Sequence, residues 1–250
     1  MLEIDGLARA FGALRAVDGV SLALAPGQCH ALIGPNGAGK TTLMQMISGL
    51  VRPDAGRVVF EGRDVTLLAP AARARLGLGR SFQVAAVIGA LTAGENAALA
   101  AQAAEAAPGA RPRLSLWRRA GASATLRAAA AAALAEVGLQ DRAGVPAADL
   151  AHGERRLLEL AMVLATAPRA LVLDEPMAGL GAGESRTLTA LLGRLKARLP
   201  LMMVEHDMDA VFALADRVSL MVEGRLVAAG TPAEVRADPA ARAAYLGDAA

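Results

Sequence analysis

The sequence predicts an α/β fold with a mainly parallel core sheet and an inserted helical lobe. Three observations carry this. Short apolar runs, Cys29–Ile33, Ala170–Leu173 and Leu201–Val204, alternate with segments of helical character, the pattern of buried parallel strands in an α/β core. A glycine-rich loop follows the first run and opens onto a helical stretch. From about Glu95 to Val137 the composition turns alanine-rich, and alanine has the highest helix propensity.

Taken in order, residues 2–60 read as short strands separated by turns. Gly19–Leu24 alternates in polarity, Ala25–Gly27 turns the chain, and Cys29–Ile33 is a short apolar strand. A helix is expected over Thr41–Leu50, a turn over Pro53–Gly56, and strands over Arg57–Phe60 and Leu76–Phe82. The alanine-rich lobe is interrupted around Pro108–Pro112. A helix with a polar start spans Leu150–Leu164, and the strand Ala170–Leu173 ends in Asp174 and Glu175. The strand Leu201–Val204 ends in Glu205, His206 and Asp207, and a hairpin turns at Glu223–Gly224. One domain over 1–250 is expected, with a core over 1–94 and 160–250 and a helical lobe over 95–159. Ligands of such sheets bind at the carboxyl ends of the strands, where these polar residues fall.

Composition narrows the class. The 250 residues are 54% hydrophobic but 2% aromatic, with 26 basic against 24 acidic side chains. A net charge of +2 lacks the large clustered excess of a nucleic-acid binder. One cysteine, Cys29, forms no internal disulfide framework and reads as a core thiol. Glu3 and Asp5 stand where a signal peptide would be basic. The longest stretch without Asp, Glu, Lys or Arg, Gly19–Gly39, is broken by Pro26, Gly27, Pro35 and Asn36, so it is no spanning helix. A soluble chain, or one held at a membrane through a partner, is expected. Only Lys40 and Lys196 are lysines, and Lys40 lies in the most informative segment.

That segment, Gly34-Pro35-Asn36-Gly37-Ala38-Gly39-Lys40-Thr41-Thr42, contains G-x-x-x-x-G-K-[ST], a phosphate loop. Its glycines let backbone N–H groups curl around phosphate oxygens, and the following helix points its positive end at them. Lys40 would reach the β- and γ-phosphates, and Thr41 would ligate Mg²⁺. Ala170–Glu175 has the form of a Walker B strand, Asp174 serving Mg²⁺ and Glu175 polarising the attacking water. Alone, the same strand end reads equally well as a solvated acidic turn. Loop and strand together indicate a nucleoside triphosphate with Mg²⁺, without separating ATPase, GTPase, kinase or recombinase.

Leu150-Ala151-His152-Gly153-Glu154, ahead of a helix and of the Asp-Glu pair, resembles the signature L-S-G-G-Q of ABC transporter ATPases. The resemblance implies an ABC nucleotide-binding domain with an antiparallel β subdomain and an inserted α-helical subdomain, binding ATP and Mg²⁺. It implies that Gln83, after Arg80-Ser81-Phe82, is the Q-loop glutamine that senses Mg²⁺ and water. It implies that His206, 32 residues after Asp174, is the switch histidine that contacts the γ-phosphate, although a lone histidine is more often structural. Phe11, before Gly12, resembles the aromatic that stacks on adenine, and a core phenylalanine is its other reading. Two such domains would pair head to tail, each ATP held between one phosphate loop and the other's signature.

Longer runs resemble one group of this family, the ATP-binding subunits of branched-chain amino acid importers. These are Arg80–Gln83, Val204–Met208 with Ala215–Val218, and the tail Gly230–Val235 through Ala244–Gly247. The group implies two transmembrane permease subunits, a second ABC ATPase subunit in a heterodimer or a homodimer, and an extracytoplasmic binding protein acting indirectly. It places the chain peripherally on the cytoplasmic face of the plasma membrane. Relatives carrying urea, amides or aromatic acids, and ABC ATPases for lipid or lipopolysaccharide export, share this machinery. A soluble ABC ATPase of translation or DNA repair is disfavoured, because no second domain or long coiled-coil insertion is visible. Two positions depart from the family pattern: Ala151 replaces the signature serine, and Gly181 stands where many members have the D-loop Asp. Trp117, beside Arg118-Arg119, reads as a lobe cover or a partner contact.

Overall fold

The computed structural model describes residues 1–81, 87–105 and 123–243. It divides into two compact units, Met1–Arg73 with Ala170–Ala250, and Ala74–Arg169.

The first unit begins with the antiparallel hairpin β1 (Leu2–Phe11) and β2 (Leu14–Leu24), turned at Gly12. Strand β3 (Cys29–Ile33) has all five residues buried. Helix α1 (Lys40–Ser48) follows, then β4 (Ala55–Phe60), β5 (Arg63–Asp64) and α2 (Pro70–Arg75). Strands β1, β2, β4 and β5 form one antiparallel sheet in the order β2-β1-β4-β5. Strand β4 starts at Ala55, inside the segment expected to be a turn. The register of β1 against β4 shifts between Asp5 and Ala8, and Gly56, at φ +84°, lies against the Gly6 carbonyl there. A Cβ at Gly56 would stand 2.3 Å from that oxygen, so the glycine read as a turn marker instead allows close approach of two strands.

The second unit carries β6 (Leu78–Arg80), α3 (Ala93–Glu105), α4 (Ala124–Glu136) and α5 (His152–Leu164). It extends beyond the lobe expected over 95–159. The amide of Arg169 donates to the Gly77 carbonyl at 2.7 Å, joining the two ends of the unit. Asn96, fully buried on α3, accepts from the Ile88 amide and donates to the carbonyls of Ile88, Leu91 and Thr92. That side chain folds residues 88–92 onto the helix. Strand β6 is shorter than the expected Leu76–Phe82, and Phe82 and Gln83 lie outside the described residues. Trp117, Arg118 and Arg119 do as well.

The chain returns to the first unit through β7 (Ala170–Asp174), α6 (Ala182–Lys196), β8 (Leu201–Val204) and α7 (Met208–Leu214). It ends with β9 (Arg217–Val222), β10 (Arg225–Gly230), α8 (Pro232–Ala237) and α9 (Pro239–Ala241). Within this unit the core sheet runs β10-β9-β3-β8-β7. The pairings β9–β3, β3–β8 and β8–β7 are parallel, and β10 closes the edge antiparallel. The β9–β10 turn holds Glu223 at φ +47° and Gly224 at φ +82°, the two positive values of a tight hairpin turn. Leu32, Ile33, Leu43, Met44 and Ile47 are among the fully buried side chains. Among the described residues no helix is long and apolar enough to cross a membrane.

One buried polar group makes the core sensitive to pH. His30 on β3 is 1% exposed, with Nδ1 3.0 Å from the Ala23 carbonyl and Nε2 2.9 Å from the Ser219 hydroxyl. A carbonyl only accepts, so Nδ1 carries the hydrogen and Nε2 accepts from Ser219. Burial, aided by the charge of Arg217, holds the imidazole below its ordinary value of 6.5. As pH falls the unfolded chain therefore takes up this proton first. The stability contribution is fully present above about 6.5 and is lost as pH drops through the lower folded value. Urea unfolding from about pH 7.5 to 5.5 should show a falling midpoint in the wild type and a shallower fall in His30→Gln. Equal slopes would assign the pH dependence to other groups.

Candidate functional site

The loop 34–39 joins β3 to α1. Gly34 has φ +149° and Gly39 has φ +100°. A Cβ at Gly34 would lie 2.1 Å from the Met221 carbonyl oxygen, and one at Gly39 would lie 2.0 Å from that of Ala16. These positions admit only glycine, which is why the loop has its composition. The Gly224 amide donates to the Ala38 carbonyl at 3.0 Å and braces the loop from the β9–β10 turn. From the sequence alone Gly224 is only a turn residue.

Helix α1 starts at Lys40 with no side-chain cap at Gly39 and no acidic residue in its first turn. Its first amide groups, including those of Thr41 and Thr42, therefore keep the positive potential of a helix N-terminus. The Lys40 side chain is nearly buried, and Nζ donates to the carbonyls of Gly34 at 2.6 Å and Pro35 at 2.9 Å. The ammonium thus stands inside the curve of the loop that includes Pro35, Asn36, Gly37 and Ala38. Burial pulls its pKa down, and the charges of Glu175 and Asp174 oppose that shift. This arrangement of amides and one ammonium suits a polyphosphate.

Asp174 ends β7 and is 1% exposed. Glu175 follows at φ +48°, a left-handed conformation that is uncommon outside glycine. Such backbone values persist where surrounding bonds enforce them. Here the Glu175 amide donates to the Val204 carbonyl at 2.9 Å, and its own carbonyl accepts from the Ala178 amide. The turn aims the Glu175 side chain at the end of β8, where His206 Nε2 lies 3.0 Å from Glu175 Oε1. An ionised carboxylate only accepts, so Nε2 carries the hydrogen in that pairing. Lys40, Asp174, Glu175 and His206 are thus gathered at the carboxyl ends of β3, β7 and β8.

Phe11 stands at the tip of the first hairpin, 47% exposed, and is not a core phenylalanine. The Arg9 guanidinium lies 4.9 Å from the ring centroid. Arg9 is held by Asp54 at 2.5 Å, whose other oxygen accepts from the Ala10 amide at 2.8 Å. The return strand of this hairpin brings Ala16 against Gly39 of the loop.

The signature segment lies in the second unit. Leu150 is buried and extended, and α5 starts two residues later than expected because Ala151 is its N-cap. Glu154 accepts from the Ala151 amide at 2.9 Å and pairs with Arg142 at 2.8 Å. The hydrogen bond from Ala151 is the main reason its carboxyl sits below the usual range. His152 is exposed and Gly153 is buried. Gly181 is likewise an N-cap, of α6, with its amide donating to Glu184 at 3.0 Å. Both departures from the family pattern therefore share one structural form: the third-residue glutamate is kept and the capping side-chain oxygen is missing. Ala151→Ser should stabilise the chain by about 1 kcal/mol through a new cap. Chemical denaturation measures this, and no gain would mean that the hydroxyl does not reach the α5 amides.

The residues fit a nucleotide and its Mg²⁺. Among the described residues no group of three or more His, Cys, Asp or Glu is arranged to hold a metal by itself. A hydroxyl at Thr41 and a carboxylate at Asp174 would supply hard oxygen donors of the kind that Mg²⁺ takes beside phosphate oxygens.

Compared with known proteins, residues 17–178 match the ABC transporter family model. Residues 225–250 match the model of the branched-chain amino acid ATP-binding cassette transporter. The high-affinity branched-chain amino acid transport ATP-binding protein LivG of Salmonella typhimurium is 37% identical over 254 residues, covering 100% of this chain and 98% of LivG. BraF of Pseudomonas aeruginosa, described in the same words, gives the same identity and coverage. A sulfate/thiosulfate import ATP-binding protein, CysA 2 of Chromobacterium violaceum, is 39% identical over 99% of this chain and 64% of its own length. Among solved structures, the ADP conformation of MJ1267, an ATP-binding cassette of an ABC transporter, superposes with a TM-score of 0.87 at 30% identity, covering 99% of each chain.

Proposed function

Because the chain belongs to the ABC transporter family as an ATP-hydrolysing subunit, we propose that it powers the import of branched-chain amino acids. The match of residues 225–250 to the branched-chain cassette model carries the choice of cargo. The full-length likeness to LivG and BraF supports it. Subunits of this kind work with transmembrane permease components. For this chain the reading is two permease subunits, a second ABC ATPase subunit and an extracytoplasmic binding protein, with the chain peripheral on the cytoplasmic face of the inner membrane.

In this reading the residue roles rest on the motifs, and the local geometry of the phosphate loop and the strand ends supports them. The loop amides and Lys40 hold the β- and γ-phosphates, and Phe11 stacks on the adenine. Thr41 and Asp174, with Gln83, would hold Mg²⁺, which would neutralise phosphate charge. Glu175 orients the attacking water and takes its proton, and His206 holds the Glu175 carboxylate in place. Leu150–Glu154 meet the nucleotide of the paired subunit. With Ala151 lacking a hydroxyl, the composite site built on this signature is the weaker of the two. Ala151→Ser should then raise ATPase activity in the assembled complex, and unchanged activity would remove this reading.

The test is uptake in a strain lacking the gene, with labelled leucine, urea and a short amide in parallel. Loss of leucine uptake alone, restored by the intact gene and not by Lys40→Ala, is expected. Loss of a different cargo would move the substrate while keeping the ATPase. No loss of any import would turn the reading towards export.

A further inference from the structure

Glu205, between β8 and His206, is a third acidic side chain at these strand ends, and the roles above leave it unused. It is 3% exposed. Its oxygens are taken by backbone amides of two separate turns. Oε1 accepts from Met177 at 2.7 Å, in the turn that follows Glu175. Oε2 accepts from His206 at 2.9 Å and from Asp207 at 3.3 Å. A buried carboxylate is costly unless its oxygens are hydrogen-bonded, so this one is held firmly by both turns and in turn ties them together. Asp207 extends the frame: one oxygen caps α7 through the Ala210 amide, and the other accepts from Ser185 on α6. Across this frame His206 and Glu175 meet at 3.0 Å.

We propose that Glu205 is a positioning residue for hydrolysis, a rigid strut that sets the spacing of Glu175 and His206. This rests on reading those two as the hydrolytic pair. A misplacement of about 1 Å at a reacting group can cost roughly a hundredfold in rate. Nucleotide binding depends instead on the Lys40 loop, which Glu205 does not touch. The strut therefore acts on turnover and leaves affinity alone.

Glu205→Gln tests this with almost no change of shape. Glutamine has one accepting oxygen, so its amide nitrogen must face the N–H groups of one turn, and one tether becomes a donor–donor contact. In the full-length chain, kcat and kcat/KM for Mg²⁺-ATP should fall together by at least about tenfold, with KM unchanged. In a His206→Ala background the same substitution should add little, because the pair it positions is already broken. A role in fold support alone would instead multiply the two losses.

The histidine spectrum supplies a readout independent of activity. The chain has three histidines, His30, His152 and His206, so its imidazole carbon–proton spectrum is simple. Glu205→Gln should move the His206 signal, identified by its loss in His206→Ala, and leave the other two in place. A folded Glu205→Gln protein with an unmoved His206 signal and wild-type turnover would overturn the proposal. If that variant does not fold, Glu205→Asp, which keeps the charge but is one methylene shorter, enters the same comparison. In the wild type, amide protons of Met177 and His206 at ordinary rather than downfield positions would also count against the strut. Near-normal turnover of Glu175→Gln removes the underlying reading, whereas slow Glu175→Gln beside a normal Glu205→Gln removes only the strut.

Discussion

Glu175→Gln is expected to bind ATP as the wild type does and to hydrolyse it about 10²–10⁴ times more slowly, the usual contribution of a positioned general base. At 1.36 kcal/mol per factor of ten, this is roughly 3–5 kcal/mol of transition-state stabilisation. The geometry makes glutamine the informative replacement. Its carbonyl oxygen can still accept from His206 Nε2, now 3.0 Å from the carboxylate, so the end of β7 keeps its shape while the proton acceptor is lost. It also places a side chain of the same length on the strained backbone at φ +48°. Binding should persist because the Lys40 ammonium and the loop glycines are untouched. Titration with a fluorescent ATP analogue measures binding, and phosphate release measures turnover. Near-normal turnover would move the base elsewhere.

Arg73→Ala should be the most destabilising substitution in the first unit. Arg73 is 1% exposed and spends its donors on four carbonyls. Nε donates to Leu68 at 3.0 Å and Nη2 to Thr66 at 2.7 Å, while Nη1 donates to Met46 at 2.8 Å and Ile47 at 2.5 Å. Two of these carbonyls close the last turn of α1, where no basic residue of the helix itself serves them. The guanidinium thus adds a side-chain cap beside the Gly49 backbone cap, at the end of the helix whose other end faces the phosphate loop. Burial pushes its pKa down to about 10, so it stays charged at neutral pH, held by oriented carbonyl dipoles. Alanine leaves those carbonyls facing a void. The expected cost is about 3–5 kcal/mol against a typical total of roughly 5–15. Lysine, with one nitrogen on a flexible stem, should recover only part of it. Thermal or urea unfolding decides. A loss under about 1 kcal/mol would mean that water replaces the guanidinium.

The Lys40, Asp174, Glu175 and His206 positions were legible because each is local. A phosphate loop needs glycines at fixed offsets, and a buried parallel strand is a short apolar run that stops where the chemistry starts. The two helix starts at Ala151 and Gly181 were legible as departures from a pattern, but their common nature as N-caps lacking a side-chain oxygen was not. The role of Arg73 was hidden among 24 arginines in the 26 basic residues, two being lysine. Only folding selects which one is buried under α1. Gly56 was misread because a turn and a close strand crossing demand the same residue.

The sequence by itself determined the α/β class, the phosphate loop, the acidic strand end and the family, since these depend on residue type and spacing along the chain. Tertiary structure alone decided which groups touch: His206 on Glu175, Gly224 on the loop, Glu205 across two turns, and an outer boundary of the second unit that reaches Ala74 and Arg169. The reason is physical. Propensity and periodicity act within a few residues. The hydrogen bonds that orient the Glu175 carboxylate join segments some thirty residues apart, brought together by the β7–β8 pairing of Asp174 with Val204.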